Sequence, residues 1–207
     1  FYAKEMGLPI GRLLCASNSN NVLTDFIATG KYDRNRPFYN TVSPSMDILI
    51  SSNLERLLYL LSGGDDKLVA GYMKELSDTG CYQVSGEMLE KIQSVFVGGF
   101  SSEEETEATI GKMMDEHKYL IDTHTAVAFH VLEQYRKDTG DQTKTVVAST
   151  ASPFKFCDAV LDALHVTEKA TGTALLDQLA DVSGLPAPHP LASLLDKYVL
   201  FTSLSET

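Results

Sequence analysis

Hydroxyl side chains cluster where a strongly apolar stretch of the chain ends. Residues 145–148 read Thr-Val-Val-Ala, which is typical of a strand covered by helices on both faces, and Ser149, Thr150 and Ser152 follow. In open α/β sheets, ligands bind beyond the carboxyl ends of strands, and a hydroxyl can both donate and accept a hydrogen bond. The pattern predicts a small-molecule site at these hydroxyls.

Lys155 is the first charged side chain after these hydroxyls. Ser152 and Pro153 fit an N-cap and the first residue of a helix through Leu164, so Lys155 would lie in the first helical turn. The helix dipole disfavours a cation there unless an anion is nearby. Two interpretations are open: Lys155 binds an anion, or Ser152 simply begins a helix and Lys155 points to water.

Other polar residues are weaker candidates. His124 follows the predicted cap Asp122 within the first turn of a helix, and is either a site histidine in its neutral form or a surface histidine. His130 lies among apolar residues and is interpreted as a satisfied core histidine. Residues 17–21, Ser-Asn-Ser-Asn-Asn, end another predicted strand, although such runs are also common in caps and turns. The acidic residues 103–107 are interpreted as a solvated helix start.

Several well-known site motifs are absent from the sequence. No two glycines stand at i and i+2, and there is no Walker lysine, His-Glu-x-x-His, Gly-x-Ser-x-Gly or Cys-x-x-Cys. Dinucleotide-binding, kinase, zinc protease, serine hydrolase and thiol redox motifs are therefore excluded.

The composition and charge of the chain exclude further classes of function. The chain has 207 residues, 43% hydrophobic and 22% charged, as expected for one globular domain or two small ones. Its net charge of −11 disfavours nucleic acid and anionic membranes as partners, and no apolar stretch is long enough to cross a bilayer. Three widely separated cysteines indicate neither a disulfide framework nor a metal site, which favours a cytoplasmic location.

The order of the predicted elements indicates an α/β fold. Residues 1–6 read as the end of a helix that stops at Gly7, which suggests a missing upstream part. Strand, polar loop and helix then follow within residues 1–30, and the same order recurs in residues 121–207 around the strand at 145–148. The region between them, 31–120, combines an ordered loop at 31–45 with helices. Their expected N-caps are Asn53, Asp65, Ser85 and Ser102, with Asp122 opening the third region.

Collinear segments of the chain resemble the threonine synthase family. Residues 149–156, Ser-Thr-Ala-Ser-Pro-Phe-Lys-Phe, are similar to the segment Ser-Thr-Ala-His-Pro-Ala-Lys-Phe of that family. Further similar segments are residues 3–10 (Ala-Lys-Glu-Met-Gly-Leu-Pro-Ile), 16–23 (Ala-Ser-Asn-Ser-Asn-Asn-Val-Leu), 44–48 (Pro-Ser-Met-Asp-Ile), 52–56 (Ser-Asn-Leu-Glu-Arg) and 124–128 (His-Thr-Ala-Val-Ala).

The resemblance implies a three-layer α/β/α parallel-sheet architecture of the tryptophan-synthase-β-like fold, incomplete because the N-terminal part is missing, with a helix-rich middle. It implies a pyridoxal-phosphate enzyme that converts O-phospho-L-homoserine and water to L-threonine and phosphate by β,γ-elimination and hydration. The lysine that bonds to the cofactor and the loop that holds its phosphate are expected upstream. The chain would then be a C-terminal portion without a catalytic residue of its own, inactive alone and partnered by the missing N-terminal portion.

The resemblance also assigns site residues. Thr150 matches the hydroxyl that bonds to the pyridine nitrogen of the cofactor, and Ser149 is its neighbour. The expected substrate-side residues are Lys155 near the phosphate, together with Ser152, Asn53 and His124; no metal is expected.

Two departures from the family pattern keep alternatives open. Ser152 stands where the family usually has His, and Asn21 where it usually has Asp. The remaining alternatives are another pyridoxal-phosphate lyase of the same fold and a non-catalytic interaction domain derived from it.

Overall fold

The computed structural model describes residues 1–198 and shows helices around a small parallel sheet. Residues 199–207, the end of the third predicted region, lie outside the described residues. The helices are α1 (Tyr2–Glu5), α2 (Val22–Thr29), α3 (Ser52–Leu61), α4 (Asp66–Thr79), α5 (Gly86–Val95), α6 (Glu103–His117), α7 (Thr123–Thr139), α8 (Cys157–Ala163), α9 (Ala174–Ser183) and α10 (His189–Ala192). The 3-10 helices are Pro44–Met46, Pro153–Lys155 and Ser193–Asp196.

Four short strands form two separate pairs within the described part of the chain. β1 (Leu13–Ser17) runs parallel to β4 (Phe96–Phe100), with Leu13 opposite Phe96 and Ser17 opposite Phe100. β2 (Lys31–Asp33) runs antiparallel to β3 (Cys81–Gln83). The parallel pair needs the long crossover between β1 and β4, and that crossover contains most of the helix-rich middle region.

Two adjacent glycines show that helices cover both faces of the parallel pair. A Cβ atom on Gly98 would lie 3.0 Å from Cα of Thr24 in α2, and one on Gly99 would lie 2.7 Å from Cγ1 of Val131 in α7. Because successive strand residues point to opposite faces, α2 and α7 lie on opposite sides of the sheet. The predicted three-layer α/β/α arrangement is confirmed.

Two hydrophobic clusters form the core. In the first, around α2 and the β2–β3 pair, Tyr82 stacks on Tyr32 and on Tyr72 with ring centroids 5.3 and 5.1 Å away. The second joins α6, α8 and α9 through fully buried residues that include Ile110 and Leu161. It anchors α8, and therefore the hydroxyl-bearing segment just before α8, to the rest of the fold.

Most predicted helix ends are confirmed. The Ser102 side chain accepts from the backbone N of Glu105, and the Glu105 carboxylate accepts from the backbone N of Ser102, as the capping box requires. Asp65, Ser85 and Asp122 cap α4, α5 and α7 with their side chains, and Gly30, Gly80 and Gly140 end α2, α4 and α7 in the left-handed conformation.

Residues 145–148 do not form the predicted central strand. They have no regular secondary structure, and Val146 is 92% exposed. The Arg136 guanidinium donates to the carbonyl of Thr143 at 3.3 Å and to the hydroxyl of Thr145 at 3.4 Å, so the segment lies near α7. An apolar, β-branched sequence becomes a strand only where a neighbour supplies backbone hydrogen-bond partners, and residues 1–198 place no strand beside it.

Three further predictions are corrected. Ser51 precedes α3, so Asn53 lies inside its first turn and does not cap it. The segment after Ser152 is divided into a 3-10 turn and α8, and Lys155 ends the 3-10 turn. The predicted loop at 31–45 begins with β2.

Cys15, Cys81 and Cys157 are all free. None of the helices found in residues 1–198 has the length and apolarity needed to span a bilayer. The cytoplasmic location stays a prediction.

We expect Gly99→Ala to lower the free energy of unfolding of the full-length protein by about 1–3 kcal/mol, because the new methyl would overlap the stiff, β-branched Val131. Urea denaturation followed by circular dichroism measures the change. Gly71→Ala is the control: apart from its chain neighbours and the backbone of α4, no atom of residues 1–198 lies within 4 Å of the added Cβ, so it should stabilise the helix by up to about 1 kcal/mol. Gly99→Ala should cost less in a Val131→Ala background. Equal effects of the two glycine substitutions would contradict the close packing of α7 on β4.

Candidate functional site

The structure brings two of the predicted site residues together at the start of α7. His124 lies in the first turn of α7, and Ser149 is hydrogen-bonded to Thr125 in the same turn. Thr150 directly follows Ser149 in the chain. Their proximity depends on side-chain contacts that the sequence alone does not show.

Asp122 organises this end of α7. Its carboxylate is 1% exposed and accepts hydrogen bonds from the backbone N of His124 at 2.9 Å and of Thr125 at 3.2 Å. It also accepts from the Thr125 hydroxyl, which in turn lies 3.0 Å from the hydroxyl of Ser149. Side-chain hydrogen bonds therefore connect the N-cap residue of α7 to the segment that carries Ser149.

His124 uses both ring nitrogens within the protein. Nε2 accepts from the backbone N of Ser45 at 3.2 Å. Nδ1 is hydrogen-bonded to the hydroxyl of Thr123 at 3.3 Å and also lies 3.3 Å from Oδ1 of Asp122. Since Nε2 accepts, the neutral ring carries its hydrogen on Nδ1 and donates it to the Thr123 hydroxyl. The ring is tilted over Phe156 with centroids 4.8 Å apart, and the side chain is 12% exposed. His124 is therefore not a surface histidine but a link between α7 and the Pro44–Met46 turn.

A buried polar network holds that turn in place. Nδ2 of Asn18 lies 2.7 Å from Oδ1 of Asp47 and 2.8 Å from the hydroxyl of Thr41. Nδ2 of Asn20 donates to the same Asp47 oxygen at 3.0 Å. Asn18 and Asn20 are 0% and 3% exposed, so their hydrogen-bonding groups need protein partners. The Asn residues that follow β1 therefore hold residues 39–47 in place through hydrogen bonds.

An open cleft of about 640 Å³ lies beside this assembly. Pro44 and Phe156, which flank the His124 contacts, line one part of it, and Lys155 lies in the same wall. Asp158, also in the wall, is paired with Lys169 at 2.7 Å, whereas Lys155 makes no ion pair with any residue in the range 1–198. The cleft therefore has an uncompensated positive charge, which suits an anionic ligand.

Glu103 of α6 binds the loop formed by residues 39–47. Its carboxylate accepts from the backbone N of Val42 at 2.8 Å. Partial burial raises its pKa above the usual value, although the Val42 hydrogen bond opposes the rise. The interpretation of residues 103–107 as a solvated helix start is wrong for Glu103, because it ties α6 to the loop. His130 is a satisfied histidine as predicted, 2.7 Å from the amide nitrogen of Gln134.

The remaining predicted residues have different surroundings. Thr150 is exposed, and its hydroxyl has no hydrogen-bond partner in the described part of the chain. Ser152 accepts from the backbone N of Phe154 at 3.3 Å and so caps the 3-10 turn. Asn53 is not part of the cluster: it lines a separate apolar pocket of about 290 Å³ between α1, α2 and α3.

We expect Asp47→Asn to lower the free energy of unfolding by about 1–3 kcal/mol, because an amide nitrogen would replace an oxygen that accepts from buried donors. Thermal unfolding followed by circular dichroism measures it. Asp181→Asn, at an exposed position of α9, is the control and should change stability by less than about 0.5 kcal/mol. Equal melting temperatures for the two variants would show that the network does not hold the turn.

Comparison with known proteins gives consistent matches. Residues 125–197 match the family model described as Threonine synthase, C-terminal. The chain is 41% identical over 190 residues to Threonine synthase-like 1 of Macaca fascicularis, covering 91% of this chain and 25% of that protein. It is 39% identical over 178 residues to threonine synthase of Saccharomyces cerevisiae, covering 79% of this chain and 35% of that protein.

A solved structure agrees with these matches. The chain aligns with pyridoxal-phosphate-bound threonine synthase from Brucella melitensis with a TM-score of 0.74 and 38% identity, covering 89% of this chain and 38% of that one. The chain thus spans between a quarter and two fifths of the length of these relatives. The fold, the hydroxyl segment and the comparisons together show that the chain belongs to the threonine synthase family and corresponds to its C-terminal part.

Proposed function

We propose that the full-length protein carrying this chain is a pyridoxal-phosphate enzyme that converts O-phospho-L-homoserine and water to L-threonine and phosphate. The observation that carries the proposal is the position of the hydroxyl pair. Ser149 is hydrogen-bonded to the first turn of α7, and Thr150 follows it in the chain shortly before residues 154–156, which line the cleft and include the unpaired Lys155. Membership of the family supports the same reaction.

The residues present fit one side of a pyridoxal phosphate site. Thr150 has an exposed hydroxyl, and nothing described in residues 1–198 competes for its hydrogen. A neutral hydroxyl suits a pyridine nitrogen, because it can donate to the nitrogen lone pair without placing a charge beside it. When bound, the cofactor withdraws electrons from the amino acid and so eases removal of its protons.

The residues of this chain would bind and orient the cofactor and the substrate. Thr150 donates a hydrogen bond to the cofactor ring, and Lys155 provides positive charge for the phosphate of O-phospho-L-homoserine. Phe156, tilted against His124, supplies an apolar surface at the cleft. The covalent lysine and the cofactor-phosphate loop are assigned to the N-terminal portion of the protein, which is therefore the required partner.

A second candidate is a related lyase that releases phosphate from the same kind of substrate without forming threonine. Two observations keep this candidate open: the 41% identity to a protein named Threonine synthase-like 1, and Ser152 where the family usually has His. Product analysis of the purified full-length protein with O-phospho-L-homoserine separates the two. Equal amounts of phosphate and threonine support threonine synthase, and phosphate with a 2-oxo acid supports the second candidate. No phosphate release would contradict both.

We expect Thr150→Val to lower the turnover number of the full-length enzyme by about 10- to 100-fold, because the cofactor nitrogen loses its partner while the β-branched shape is kept. Thr150→Ser, which keeps a hydroxyl, should retain most of the activity. Steady-state phosphate release measures both. Wild-type turnover in Thr150→Val would remove this hydroxyl from the cofactor site.

For Lys155→Ala we expect the Michaelis constant for O-phospho-L-homoserine to rise by at least about tenfold with a smaller change in the maximal rate, because the lost charge acts on the bound substrate. Lys155→Arg keeps the charge and serves as the control. The same assay, run over a range of substrate concentrations, gives both constants. An unchanged Michaelis constant would support the alternative in which Lys155 only points to water.

A further inference from the structure

A chain of three side chains runs from the protein interior to the proposed cofactor site. Asp122 and Thr125 are 1% and 2% exposed, whereas Ser149 is exposed. The Thr125 hydroxyl contacts both a carboxylate oxygen of Asp122 and the hydroxyl of Ser149. The buried end of the chain therefore determines how the exposed end can form hydrogen bonds.

The direction of these hydrogen bonds follows from counting hydrogens. A carboxylate only accepts, so Thr125 donates its single hydroxyl hydrogen to Asp122. The hydrogen between Thr125 and Ser149, whose oxygens are 3.0 Å apart, must then come from Ser149. Toward any further group, Ser149 can only accept.

Thr150 differs from its neighbour in this respect. Its hydroxyl forms no hydrogen bond within residues 1–198, so its hydrogen stays available for donation. Two adjacent and chemically similar hydroxyls thus have opposite roles, Ser149 as acceptor and Thr150 as donor.

The same contact also restrains the backbone. No strand of residues 1–198 pairs with residues 145–148. Side-chain contacts of α7 hold this segment instead: Arg136 binds its beginning, and Thr125 binds its end at Ser149. Loss of the Thr125 hydroxyl would release the end that carries Thr150.

We propose that Asp122 and Thr125 are positioning residues for the cofactor site: they fix Ser149 as a hydrogen-bond acceptor and hold Thr150 in place as the donor to the cofactor ring. This inference rests on the proposed function. Neither residue is proposed to touch the cofactor or the substrate.

Thr125→Val tests the proposal in the full-length protein, because it keeps the shape and removes the hydroxyl. Absorbance titration should show about tenfold weaker binding of pyridoxal phosphate. Thr125→Ser should restore the binding. Thr109→Val is the matched control, since Thr109 is a buried threonine of α6 whose hydroxyl bonds, among residues 1–198, only to the Glu105 carbonyl of its own helix.

Binding in Thr125→Val equal to that of the wild type would overturn the positioning role and leave the proposed function standing. Equal losses in Thr125→Val and Thr109→Val would also overturn it, because they would reflect general destabilisation. Failure of the wild type to bind pyridoxal phosphate would contradict the proposed function itself. If Thr125→Val does not fold, Ser149→Ala removes the same bond from its exposed end and is expected to weaken the binding of pyridoxal phosphate by a similar factor.

Discussion

The arrangement of the candidate site depends on one buried carboxylate, Asp122. Burial of a charge is costly unless several donors satisfy it, and Asp122 accepts from two backbone N–H groups and the Thr125 hydroxyl while facing the ring of His124. These donors lie on one helical turn, but their other partners, Ser45 and Ser149, come from distant parts of the chain. The helical turn that satisfies Asp122 therefore also binds two distant segments, one through His124 and one through Thr125.

This assembly lies beyond the carboxyl ends of parallel strands, where ligands bind in open α/β sheets. The strands are β1 and β4, and not the predicted strand at 145–148. β1 ends at Ser17, and the loop after it binds residues 39–47; β4 ends at Phe100, and Glu103 just beyond it binds the same loop. The carboxyl ends of both parallel strands thus meet the loop that reaches His124. The direction of β1 and β4 sets this edge, whereas residues 145–148, to which the rule was applied in the sequence, form no strand.

Local signals in the sequence predicted the parts of the fold that local physics determines. Caps such as Ser102 and Asp122 and the stop at Gly140 act within one turn of a helix, so their sequence pattern is enough. The prediction of a strand at 145–148 was wrong because a strand needs a neighbouring strand to pair with, and residues 1–198 do not supply one. Strand β4 was not predicted because Gly98 and Gly99 weaken the sequence pattern of a strand. The Asn18 contact with Asp47 spans 29 residues, and only the folded chain shows it.

The fold compensates for one of the two departures from the family pattern, Asn21, and not for the other, Ser152. Oδ1 of Asn21 accepts from Arg36 at 3.0 Å, and Asp25 already pairs with the same guanidinium at 2.7 Å. An amide at position 21 therefore keeps the contact while Asp25 supplies the charge. Ser152 has no such substitute: its short side chain caps the turn that carries Lys155 and lacks the ring that the family usually has there. Position 152 therefore offers different hydrogen-bonding groups from the family pattern, whereas position 21 keeps the contact with Arg36.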